Sequence, residues 1–162
     1  MQFYRVKILL LQIDKTQDMY LSEGIDIYAK RLGHYTPFDT VTINVPKNLR
    51  QRPVNEQKKG EADLILKQIM ADDVLVLLDE NGRQFSSDEF SKFITQRQNT
   101  SVKRLVFLIG GPFGFDEFIY KRAQFQVSLS KMTFSHQMVR LFFVEQLYRA
   151  FTILRGEKYH HI

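Results

Sequence analysis

The sequence predicts an α/β fold: a mostly parallel sheet with helices on both faces. Two observations carry that reading. Continuous apolar runs at residues 6–13, 73–79 and 103–109 have the character of strands covered on both sides. Between them lie segments whose apolar residues recur at helical spacing, so strands and helices alternate along the chain.

The elements follow in order. Residues 6–13, "VKILLLQI", form the first strand; the run is too short to span a membrane and carries no small-residue cleavage site. Ile25, Tyr28, Ala29 and Leu32 mark a helix over 22–32. Residues 41–45 alternate and stop at Pro46, as a strand end does. The polar, basic stretch 47–59 reads as a surface loop, open to two uses: a solvated segment or a contact for an RNA backbone. A helix over about 55–70 has Ala62, Ile65, Leu66 and Ile69 as its apolar face, and the strand 73–79, "DVLVLLD", follows. Ser86 and Glu89 form a capping box that opens a helix through about Gln98. After the strand 103–109 come a short helix over 116–123 and a short strand over 125–129. A long helix over 136–155 ends at Gly156. No repeat, low-complexity segment or linker interrupts the chain, so residues 1–162 are expected to be one domain.

With 162 residues, 44% hydrophobic and 25% charged, the chain has the composition of a globular soluble protein, expected in the cytoplasm. It contains no cysteine, which removes disulfides, thiolate metal sites and thiol catalysis. A formal charge of +5 favours an anionic partner without identifying one.

The candidate chemistry begins at "LVFLIGGPFGF", residues 105–115, where a buried strand runs into Gly110, Gly111, Pro112 and Gly114. Loops at the carboxyl edge of a parallel sheet make ligand crevices. Glycines there let backbone approach a ligand and permit positive φ. Neither a GxGxxG nor a GxxxxGK[ST] pattern is present, so the loop is not a dinucleotide or P-loop motif. A tight turn without a ligand remains equally compatible with it. Residues 129–134, "LSKMTF", lie directly before the last helix and offer small and polar groups suited to a purine edge, or simply an N-cap segment with Ser135 as the cap.

On a helical wheel the last helix is apolar on two flanks. Val144, Leu147, Phe151 and Leu154 lie on one, and Val139, Phe142 and Ile153 on the other, while Glu145 and Arg149 form an i,i+4 pair. Two apolar flanks call for two covering surfaces, and a subunit interface would supply the second. His136 and Arg140 fall on the more apolar arc, either as a satisfied, partly buried pair or as a ligand-facing pair at a loop mouth. The tail "RGEKYHHI" places Tyr159, His160 and His161 together, but no third ligand at metal spacing accompanies them, so no metal is expected.

Taken together, "LLDENGRQFSSDEF", "FLIGGPFGF" and "LSKMTFSHQMVRLFFVEQLYRAFTILRGEKYHH" resemble the RlmH-type ribosomal RNA large-subunit methyltransferases of the SPOUT superfamily. With "VKILLLQI" and "YAKRLGHY", the resemblance spans nearly the whole chain. It implies S-adenosylmethionine (S-adenosyl-L-methionine) as cofactor, a homodimer, and methylation of N3 of a pseudouridine in 23S rRNA within the assembled ribosome. It also implies a SPOUT-type C-terminal trefoil knot in roughly residues 73–162, which periodicity does not show and the general rule against threaded chains argues against. Cofactor contacts would fall on Leu78, Gly110, Leu129, Ser130, Lys131, Met132, Thr133 and Phe134. Arg149, Tyr159 and His160 would stand near the catalytic centre. His160 is the candidate general base, because histidine ordinarily titrates near pH 6.5, and Tyr159 could instead stack on the base. Some members carry a basic residue where this chain has His161. Two alternatives stand beside this function: a non-catalytic ribosome-binding or assembly factor of the same fold, and a SPOUT methyltransferase acting on tRNA.

Overall fold

The computed structural model describes residues 5–161. Residues 1–4 and Ile162, which belong to the expected 1–162 domain, lie outside the described residues. Five strands, β1 (Lys7–Ile13), β2 (Phe38–Ile43), β3 (Val74–Gln84), β4 (Arg104–Ile109) and β5 (Phe125–Ser128), form one sheet in the order β2-β1-β4-β3-β5. Every pairing is parallel. The central runs are apolar at consecutive positions because both faces are covered. One face of β1, β4 and β3 presents Ile8, Leu10, Phe107 and Val76; the other presents Leu9, Leu11, Val106, Leu75 and Leu77. Each set is buried, as the strand's period of two requires.

Helices α1 (Met19–Gly33), α4 (Ser87–Asn99) and α6 (Met138–Leu154) cover the first face through Ile25, Leu32, Phe90, Phe93, Phe143 and Leu147. Helices α3 (Val54–Leu66) and α5 (Glu117–Arg122) cover the second through Ala62, Ile65 and Ile119. Helices on both faces of a mostly parallel sheet are therefore confirmed, and the parallel character is complete.

Several boundaries differ from the sequence reading: β2 lies at Phe38–Ile43 where 41–45 was expected, α1 is longer at both ends, and α3 ends at Leu66, short of residue 70. Three further differences have identifiable reasons. The basic stretch is largely helical: α2 (Lys47–Arg50) and α3 each start directly after a proline, Pro46 and Pro53, whose fixed φ suits a helix entrance. The expected strand 73–79 continues to Gln84. Val127 of β5 pairs with both Leu78 and Arg83, so residues 79–82 loop out of the ladder as a wide bulge before pairing resumes. Gly82 makes that possible, since a Cβ there would sit 2.7 Å from the Val127 nitrogen. The capping box of α4 forms as expected: the Glu89 amide donates to Ser86 Oγ at 3.1 Å, and the Ser86 amide donates to the Glu89 carboxylate at 2.7 Å. At the start of α6, Ser135 Oγ accepts from the Met138 amide at 3.0 Å, so the expected cap is made although the helix begins two residues later than the wheel assumed.

Candidate active site

Because all five strands are parallel, their carboxyl ends lie along one edge, and the loops leaving them meet there. The bulge 79–82, the glycine loop after β4 and the loop after β5 enclose a cavity of about 590 Å³. That is the size of a site for a drug-sized ligand or cofactor. Leu78, Gly110, Leu129, Ser130, Met132, Thr133 and Phe134 all line it. Lys131 does not line it; its side chain is exposed.

The cavity has two chemical characters. Ile109, Phe115, Val127, Leu129 and Val139 give an apolar floor. Asp79 and Glu80, neither of them among the expected contacts, bring two carboxylates to the wall. They were concealed in the sequence by the apparent end of a strand at Asp79, which the bulge turns into a rim. Each carboxylate is tied to the opposite wall. The Tyr120 hydroxyl donates to Asp79 Oδ2, and the Thr133 hydroxyl donates to Glu80 Oε2 at 3.2 Å. Burial and the Asp79 carboxylate push the Tyr120 hydroxyl up to about 12, so it stays a neutral donor.

The glycines divide the labour. Of the three glycines in this loop, Gly114 alone uses positive φ, at 76°. Gly110 is bare for a different reason: a Cβ would stand 2.7 Å from Cε1 of Phe115, a ring that is 5% exposed and packed edge-on against Tyr120. The floor of the cavity is thus built by the loop folding back on its own first residue.

His136 and Arg140 separate. His136 lines the cavity, where burial and the neighbouring Arg140 and Arg50 charges hold its imidazole below the usual histidine value. Arg140 is fully buried and faces no ligand. Its guanidinium donates to the carbonyls of Ile13 at 2.6 Å, Asp14 at 2.7 Å and His136 at 3.2 Å, and to Thr16 Oγ1 at 3.1 Å. Burial pulls it down to about 10, so it remains charged at neutral pH.

Arg149, Tyr159 and His160 do come together, but not at this cavity. Arg149 pairs with Glu145 at 2.6 Å and lies over the Tyr159 ring, with its carbon 4.8 Å from the ring centroid. The Tyr159 hydroxyl donates to Glu145 Oε1 at 3.0 Å and lies 3.4 Å from that of Tyr28. Burial, Tyr28 and Glu145 push this phenol far above its ordinary value. His160 Nδ1 is 3.4 Å from Arg149, and its Nε2 is 3.9 Å from Asp88. None of the three lines the cavity of its own chain. The second apolar flank of α6 is partly open: Phe142 is 43% exposed, although Val139 and Ile153 are half-buried. Among the described residues no group of three or more His, Asp or Glu side chains could hold a metal ion, and no helix is long and apolar enough to cross a membrane.

A parallel α/β sheet with a cofactor-sized cavity at its carboxyl edge, walled by a glycine loop and the loop before the last helix, defines the architecture of a ligand-using α/β enzyme. The chain belongs to the SPOUT methyltransferase family: the family model described as "Predicted SPOUT methyltransferase" matches residues 6–160. It is 56% identical to the ribosomal RNA large subunit methyltransferase H of Christiangramia forsetii, over 95% of this chain and 98% of that protein. It is 55% identical to the protein of the same name from Flavobacterium johnsoniae, over 96% and 99% of the two chains. For Cytophaga hutchinsonii the identity is 52%, over 96% and 100%. A crystal structure of a probable methyltransferase from Bordetella pertussis Tohama I shares the fold at a TM-score of 0.51, covering 92% of this chain and 95% of its own at 11% identity.

Proposed function

We propose that this chain is an S-adenosylmethionine-dependent methyltransferase acting on N3 of a pseudouridine in 23S rRNA of the large ribosomal subunit, on assembled ribosomes in the cytoplasm. The observation that carries the reading is the cavity between the glycine loop and residues 129–136, in a chain more than half identical to proteins named as ribosomal RNA large subunit methyltransferases. Its two characters suit the cofactor: an apolar floor for an adenine ring, and carboxylates at Asp79 and Glu80 for the cationic sulfonium and amino groups. Leu78, Gly110 and residues 129–134 are the proposed contacts, with Lys131 contributing backbone only.

The cofactor supplies an electrophilic methyl group; what the protein must do is align N3 with it and take up the N3 proton. Alignment is worth up to roughly 7–11 kcal/mol in favourable cases. We assign the proton to the cluster of Arg149, Tyr159 and His160. Tyr159 is held neutral and, through Glu145 and its ring beneath Arg149, positions the cluster, whereas His160, beside the fixed Arg149, is the acceptor. Since the cluster lies away from its own cavity, the active site is read as shared: a homodimer in which the tail of one subunit closes the cavity of the other. The open apolar flank of α6 at Phe142 supports that arrangement. The unit is residues 1–162, with its C-terminal part, roughly 73–162, threaded as a trefoil knot. Transfer of a labelled methyl group to ribosomal RNA tests the reading.

A further inference from the structure

A second cavity, about 250 Å³, lies on the far side of β5, between the end of β3 and helix α4. Arg83, Lys92 and Arg97 stand around it, with Gln96 and Gln126 between them. The lone carboxylate on its wall, Glu89, is already engaged by the Ser86 amide in the capping box. Among the described residues none of the three cations is within ion-pair distance of a carboxylate, whereas Arg50, Arg52, Arg104 and Arg149 all are.

The two guanidiniums are held, however, by aromatic faces. Arg83 lies over Phe85, its carbon 4.7 Å from the ring centroid. Arg97 sits between two rings, 4.6 Å from Phe93 and 4.3 Å from Phe125. Stacking fixes the plane of a guanidinium and leaves its in-plane N–H groups to be used. One of them is unused: Arg97 Nε is shielded from solvent and has no hydrogen-bond partner. That atom is closed to solvent, as is Arg149 Nε, so an oxyanion in the cavity would meet the terminal N–H groups of Arg97 and Arg83 and the Lys92 ammonium.

We infer that this cavity is a phosphodiester-binding site, taking the backbone of the RNA substrate between Arg97, Arg83 and Lys92; the inference rests on the proposed action on ribosomal RNA. It is chemically separate from the methyl-donor cavity. The two share Val127 but oppose cations to carboxylates. Phosphate contacts fix register and orientation without reading sequence, so this site would set how the stem-loop lies while the donor cavity acts on one base.

The test compares wild type with Lys92→Gln, Arg83→Gln and Arg97→Gln, with Lys103→Gln as a charge-matched control near the opposite, amino edge of the sheet. Binding to ribosomes is measured across a series of KCl concentrations, methylation kinetics are run alongside, and donor affinity is read by calorimetry. Each cavity variant is expected to raise KM for the ribosome, leave kcat and donor affinity unchanged, and lower the slope of log K against log salt by about 0.7–0.9 per lost phosphate contact. Lys92 and Arg83 are exposed, so their variants carry the test if Arg97→Gln fails to fold. Wild-type slopes and KM in the folded variants would overturn the site, as would an equal effect of Lys103→Gln. Failure of the underlying reading looks different: the wild type itself would transfer no methyl group to ribosomal RNA.

Discussion

Arg140 donates to the carbonyl of Ile13 at 2.6 Å, joining the carboxyl end of β1 to the first turn of α6 across 127 positions of sequence. It adds the carbonyls of Asp14 and His136, so one buried cation closes backbone groups from both ends of the chain. Among the described residues its hydrogen-bond partners are three carbonyls and the Thr16 hydroxyl, with no carboxylate in an ion pair with it. Replacing it with methionine would strand these carbonyls in the interior, where each unmet acceptor costs about 1–3 kcal/mol. Arg140→Met is expected to lower stability by at least about 2 kcal/mol in a urea melt, and Arg140→Lys by less, since it keeps the charge but loses the fork. Unchanged midpoints would show that the clasp is incidental.

Glu80 is predicted to select charge. The proposed methyl donor is a sulfonium cation, whereas its demethylated product is neutral at sulfur. Glu80→Gln keeps an acceptor for Thr133 and removes the charge. Calorimetry with both molecules should show donor affinity falling several-fold and product affinity nearly unchanged. An equal loss for both would mean that Glu80 serves only the loop geometry.

His136 gives the cavity a pH dependence whose sign is fixed. Its folded-state pKa lies below the unfolded value of about 6.5, through burial first and then the Arg140 and Arg50 charges. The unfolded chain therefore takes up the proton first as pH falls, and this residue's contribution to stability, present at neutral pH, is lost on acidification below about 6.5. The difference in denaturation midpoint between wild type and His136→Asn should accordingly shift in the variant's favour at acidic pH. A difference independent of pH would contradict the assignment.

The proposed shared site predicts complementation. A chain lacking residues 157–162 and a chain with its cavity filled by Gly110→Val should each be inactive as homodimers. Mixed, they should regain activity, because one intact cavity meets one intact tail. Absence of restored activity in purified mixed dimers would return the tail to its own subunit.

Much of the fold was legible because the strands are buried on both faces: uninterrupted runs such as "KILLLQI" admit few readings once helical periods alternate with them. The glycine loop and the loop after β5 were legible as a pair for the same reason, since parallel strands put their carboxyl ends at one edge. What escaped was non-local. Asp79 and Glu80 line the cavity only because Gly82 lets the bulge close against Val127, and that contact leaves no period in the sequence. Gly110 was expected to be bare for a ligand, yet the nearest crowding comes from Phe115, five residues on. His136 and Arg140 share an arc of the wheel but not a role. The wheel gives direction around an axis, and β1, against which Arg140 ends, lies outside it. The tail's separation from its own cavity was equally invisible, since sequence spacing says nothing of which cavity a chain end reaches.

Methyl transfer to ribosomal RNA is measured most directly with a donor carrying a labelled methyl group and assembled 70S ribosomes, free 50S subunits or tRNA. Label is expected in 23S rRNA from assembled ribosomes, mapped to N3 of a pseudouridine and lost with Gly110→Val. Donor binding without label in any ribosomal RNA, or label appearing in tRNA alone, would contradict it.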